Sequence, residues 1–87
     1  CRLASGAPFL AWGTFDAARF EILAGSLRER QSSARAARGF CADCGTAITY
    51  RPLGRREADI DVALATLDDP DALAPQFHIW TSHKPAW

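Results

Sequence analysis

Of the three cysteines in this chain, two stand as Cys41-x-x-Cys44. In Phe40-Cys41-Ala42-Asp43-Cys44-Gly45 the two sulfurs are close enough in sequence for one tight turn to aim both at a single ion, zinc above all. Gly45 permits the positive φ that brings backbone N–H groups toward sulfur. Thr46-Ala47-Ile48-Thr49-Tyr50, which follows, reads as a strand. A thioredoxin-type redox pair opens a helix instead, so metal clamping is the stronger reading and redox exchange the weaker one. A closed zinc site takes four ligands, and this knuckle supplies half of them. His78 and His83 are the local candidates for the remainder. Yet 33 residues separate Cys44 from His78, against about 12–15 in a zinc finger. Neither histidine is expected to bind metal.

The composition narrows the classes. With 87 residues the chain makes one small domain, residues 1–87, whose core is thin enough to profit from a staple. Ten Lys/Arg balance ten Asp/Glu, which speaks against a nucleic-acid binder, since that needs a basic footprint. The charge is unevenly spread: Arg19 to Arg38 holds five Arg and two Glu, and Glu57 to Asp71 holds six acids and no base. This reads as a solvated mixed surface, with a basic patch collecting an anionic small molecule as the alternative. No apolar run reaches the roughly 20 residues of a membrane span. An odd cysteine count with one Cys-x-x-Cys predicts a reducing compartment, the cytoplasm, rather than a disulfide framework. The chain opens on Cys1 rather than Met, so it is expected to be part of a longer protein.

The elements that must position these residues are short. Gly and Pro recur from Gly6 to Pro85 at spacings that leave room for strands and for few long helices. Period-two alternation marks Ile60/Val62/Leu64, Ile48/Tyr50 and Phe77/Ile79. The fold expected is mainly β and antiparallel. Asp16 to Ala24 reads either as a two-turn helix capped by Asp16 or as a turn at Asp16-Ala17-Ala18 followed by a strand Arg19–Leu23; the strand is preferred. A short helical turn is predicted at Asp69-Pro70-Asp71-Ala72-Leu73, with Pro at its first position. Trp12, Trp80 and Trp87 are expected as core or rim aromatics, with a pocket wall as the alternative.

Several stretches, taken in order, resemble the glutathione-dependent formaldehyde-activating enzymes, a family that includes centromere protein V. They are Cys1-Arg2, Ser5-Gly6-Ala7-Pro8-Phe9, Ala11-Trp12, Ser32-Ser33, Arg38-Gly39-Phe40-Cys41-x-x-Cys44-Gly45-Thr46, Ile60-Asp61-Val62, Ala65-Thr66-Leu67-Asp68-Asp69-Pro70, His78-Ile79-Trp80 and Lys84-Pro85-x-Trp87. The resemblance implies a small open antiparallel sheet of the β-tent type holding two zinc ions. It implies that Cys41 and Cys44 are half of a structural site, and that Cys1 is the last thiolate of an open, catalytic one. Arg2, next to Cys1, is then placed to pair with a glutathione carboxylate. The other cysteines of both sites have no counterpart, so the chain resembles the C-terminal two-thirds of such a domain. The implied activity is formation of S-hydroxymethylglutathione from glutathione and formaldehyde, a carbon–sulfur lyase-type reaction on a small-molecule thiol and an aldehyde. The alternative is a non-catalytic, zinc-stabilised binding module with a protein partner.

Overall fold

The computed structural model describes residues 1–87. A one-turn helix, α1 (Arg2–Ser5), leads into five strands: β1 (Trp12–Asp16), β2 (Leu27–Ser33), β3 (Ala36–Cys41), β4 (Ala47–Pro52) and β5 (Asp59–Ala63). They form one antiparallel sheet in the order β1-β5-β4-β3-β2. The sheet is open, with β1 and β2 as its edges. The Cα radius of gyration is 13.1 Å, above the roughly 12 Å of a compact chain of this length. No helix is long and apolar enough to cross a membrane.

Strand register sorts the side chains into two faces, because neighbours across the ladder share a face and successive residues do not. One row runs Arg30, Arg38, Tyr50, Asp61, Thr14 across all five strands. The adjacent row runs Glu29, Gly39, Thr49, Val62, Gly13, on the opposite face. This second face carries much of the core. Ala37, Ile60 and Leu64 are buried there or next to it, and Thr49 is only 1% exposed. Gly39 and Gly13 leave the space that Thr49 and Leu64 fill: a Cβ on Gly39 would fall on Thr49 Oγ1, and one on Gly13 would lie 2.7 Å from Leu64 Cδ2. The Thr49 hydroxyl has no hydrogen-bond partner.

The alternation at residues 47–50 and 60–64 becomes β4 and β5, and the turn at Asp69–Leu73 becomes a 3₁₀ helix over Pro70–Ala72. Other expectations need correction. Arg19–Leu23 is not a strand. Asp16 Oδ1 accepts from the Ala18 amide at 2.9 Å, which closes a 3₁₀ turn over Ala17–Arg19, and irregular chain follows. Phe77–Trp80 also forms no strand: it pairs with neither free edge of the sheet. Trp80 and Trp87 are neither core nor rim: they are 77% and 91% exposed. Trp12 alone of the three is half-buried.

Candidate functional site

The β3–β4 connection is the knuckle. The Cys41 amide donates to the Thr46 carbonyl and the Gly45 amide to the Cys41 carbonyl, both at 2.9 Å. Gly45 has φ 76°, the left-handed conformation expected of it. All three cysteines are free thiols. Cys44 Sγ lies 3.0 Å from the Thr46 hydroxyl. That contact, then the Thr46 backbone N–H and the Cys41 thiol, hold the Cys44 thiol below its usual range, against the opposing charge of Asp43.

Cys1 lies at the other chemistry-bearing place, on the polar face. It caps α1, where its carbonyl accepts from the Ser5 amide at 3.0 Å and from the Ser5 hydroxyl at 3.1 Å. Gly6 ends the helix at φ 71°, its amide donating to the Arg2 carbonyl at 2.8 Å. The exposed Cys1 sulfur accepts from Arg38 Nη1 at 3.8 Å. Arg38 is half-buried and held on three sides. Its Nε donates to the Ser32 hydroxyl at 3.1 Å, its Cζ stands 5.0 Å above the Tyr50 ring, and Tyr50 meets Trp12 at 6.2 Å between ring centroids. Next in the row, Asp61 Oδ1 accepts from Thr14 Oγ1 at 2.7 Å and from Arg56 Nη2 at 3.4 Å.

The sequence-expected residues thus fall into two places. Cys41 and Cys44 share one turn, while Cys1 stands with Arg38. Arg2 is exposed and makes no side-chain hydrogen bond or ion pair. His78 and His83 are exposed. No group of three His, Cys, Asp or Glu side chains lies close enough to hold one ion. Tested against zinc, the donor set fits in kind, being soft thiols on a knuckle, and falls short in number: two at the turn and one beside Arg38. Residues 1–87 do not complete either site.

Sequence reasoning assigns Arg38, Tyr50 and Ser32 to no site, and gives Trp12 a pocket wall only as the alternative. They come from four strands, and only the ladder register brings them together. A hollow of about 530 Å³ exists elsewhere, against Phe15, Phe20, Val62 and Leu67. Asp16, Arg19 and Glu21 also line it, and it holds no thiol.

A small open antiparallel sheet with a Cys-x-x-Cys hairpin turn and a separate thiol set against a guanidinium defines the class. The sequence model for the glutathione-dependent formaldehyde-activating enzymes matches residues 1–83, and the chain belongs to that family. No curated protein and no solved structure matches it.

Proposed function

We propose that this chain is the C-terminal two-thirds of a zinc-dependent domain of the β-tent type that joins glutathione, or a thiol like it, to formaldehyde. The family match over residues 1–83 carries the reading. The solvent-open Cys1 thiol against Arg38 supports a site for a small thiol on the polar face.

The reaction balances without another reactant. The glutathione thiolate, the reactive form of the thiol, attacks the carbonyl carbon of formaldehyde. A carbon–sulfur bond forms, the C=O π pair moves to oxygen, and that oxygen takes up the proton the thiol released. The product is S-hydroxymethylglutathione, and the reverse step is carbon–sulfur bond cleavage. Cys41 and Cys44 are assigned to a structural zinc whose other donors lie outside residues 1–87. Cys1 is assigned to a second, open site. The chain's own part is to hold the thiol substrate: Cys1 and Arg38 mark where it lies, and Tyr50 with Trp12 form the wall behind it. The odd cysteine count and free thiols support a cytoplasmic setting.

Exchange of formaldehyde hydrate into the glutathione adduct, followed by NMR with zinc-loaded protein, tests the proposal. The exchange is expected to run faster than in buffer, and Cys1→Ser is expected to remove the acceleration. A wild-type rate equal to that in buffer refutes it.

A further inference from the structure

Among the ten Lys/Arg residues, only Arg38 and Arg51 are half-buried rather than exposed. Arg51 is committed to Glu29, with Nε donating to Oε2 at 3.0 Å. Arg56, though exposed, is committed to Asp59 and Asp61. Arg38 has no carboxylate partner at all. Its surroundings also run against leaving it so. Arg30 is its register partner on β2, and like charges directly opposite destabilise a ladder. The acid two strands away, Asp61, already accepts from Thr14 and Arg56.

The guanidinium is nonetheless fixed in place. Ser32 takes Nε, the Tyr50 ring backs the plane, and Nη1 reaches Cys1 Sγ. With Nε spent on Ser32 and one Nη1 N–H on Cys1, one N–H of Nη1 and both of Nη2 remain, and together they can meet the two oxygens of one carboxylate. The aromatic backing limits water on one side and strengthens such a contact. An anion there would also relieve the Arg30–Arg38 repulsion.

We propose that Arg38 is the carboxylate clamp of this site: its Nη1–Nη2 edge binds the glycyl carboxylate of a glutathione-type thiol end-on while the substrate sulfur lies beside Cys1. This deepens the thiol–aldehyde reading and rests on it for the identity of the substrate. The glycyl carboxyl carbon lies six bonds from the thiol sulfur, a reach of roughly 6–7 Å when extended, and Cys1 Sγ lies 3.8 Å from Arg38 Nη1, so a substrate sulfur touching Cys1 leaves that carboxylate within reach of the guanidinium. The glutamyl carboxylate lies at the end of a longer link on the other side. Arg2, adjacent to Cys1 in sequence, lacks any such support.

Calorimetric binding of S-methylglutathione separates recognition from chemistry, because its sulfur cannot form the adduct. Wild-type protein is expected to bind it about 10- to 100-fold more tightly than its glycine monoethyl ester, the discrimination expected for one bidentate charged contact. Arg38→Ala is expected to bind acid and ester alike, at the level wild type shows for the ester. Arg38→Lys, which keeps the charge and loses the fork, is expected to fall between them. It also serves if the alanine variant fails to fold, as a thermal melt will show. In turnover, Arg38→Ala should raise KM for glutathione by the same factor while kcat changes less than about twofold.

Three results overturn the clamp. The first is wild-type protein that does not bind S-methylglutathione. The second is a wild-type preference for acid over ester kept by Arg38→Ala and Arg38→Lys, which makes Arg38 structural. The third is a monoester that binds as tightly as the acid, with only the diester weakened, which moves the contact to the glutamyl carboxylate. Arg38-dependent binding without faster adduct formation refutes the proposed reaction and leaves the clamp standing.

Discussion

Replacing Gly39 by alanine tests how tightly β3 and β4 are fitted behind the knuckle. Gly39 does not have a left-handed φ, so the added methyl strains no backbone torsion. The problem is space. The new Cβ would fall on Thr49 Oγ1 and lie 3.1 and 3.3 Å from Leu27 Cδ2 and Cδ1. Leu27 can yield a few tenths of an ångström by a small side-chain rotation. Thr49 cannot. It is β-branched, 1% exposed and directly opposite Gly39 in the ladder. Moving it away means parting strands that hydrogen bonds hold about 4.8 Å apart. The cost should sit at the upper end of core overpacking, about 3 kcal/mol. For a domain of this size that lowers Tm by roughly 12–24 °C.

Thr49→Ala alone removes an unpaired hydroxyl and one methyl, opposing effects of about 1 kcal/mol each. It should therefore leave stability nearly unchanged. Together with Gly39→Ala it removes the obstructing atom, so the double variant should recover about 2 kcal/mol relative to the sum of the singles. Urea titrations followed by circular dichroism give the full cycle. A double variant whose loss equals that sum, or a Gly39→Ala protein as stable as wild type, refutes this account of the packing.

In the full-length protein, Cys44→Ser should lower zinc content and melting temperature together, whereas Cys1→Ser should remove one zinc with little movement of the thermal transition; metal analysis and melts of both variants check this. Replacing His78 and His83 together by alanine in the same protein should leave zinc stoichiometry unchanged. Glu29 has its carboxyl held below the usual range by the hydrogen bond from Arg51, then by its charge, against partial burial. Its folded pKa is depressed, so its contribution is full above the ordinary carboxylate range and is lost as pH falls through the folded value. Because both side chains are more than a third exposed, the effect should stay below about 1 kcal/mol, and urea midpoints against pH should flatten in Glu29→Gln. Trp87→Phe should blue-shift the fluorescence maximum by removing a water-exposed emitter, with stability within about 0.5 kcal/mol of wild type.

What could be read from the sequence was what is local. The knuckle declares itself because its sulfurs, its glycine and the following strand lie within a few residues. Pro70 after Asp69 likewise declares a helical turn. The alternation around Ile60 marks β5 correctly, but the same pattern at Phe77–Trp80 does not make a strand. A period of two states only that a segment could pair, not that it does. In β4, Ile48 and Tyr50 look like the inward side, yet Thr49 is the most buried residue there. Gly39 opposite it makes the room, a fact held by another strand. The same separation hid Arg38. It lay inside the basic stretch Arg19–Arg38, for which anion collection was the alternative reading. Charge and periodicity do not distinguish Arg38 from Arg30 or Arg35; the family resemblance marks Arg38-Gly39-Phe40-Cys41 as a stretch but gives Arg38 no role. Tyr50, Ser32 and Cys1 make the distinction, and they meet it only through the ladder.

The strand order also has a consequence for how the site comes into being. Strands β2 to β5 form a meander in which each strand pairs with its predecessor, so those pairings close short loops and need little search. Strand β1 is different. It pairs with β5, and its Thr14–Asp61 hydrogen bond joins residues 47 apart. Such long-range closure comes late in folding and opens first in native-state fluctuations. Trp12 rides on β1 and Cys1 precedes it, while Arg38 and Tyr50 belong to the meander. The site therefore straddles a seam between an early-forming unit and a late-docking strand. Amide exchange should find the protection of β1 lower than that of β3 and β4. A chain caught before β1 docks would have its knuckle turn and its arginine, but neither the thiol beside that arginine nor the second ring of its aromatic wall.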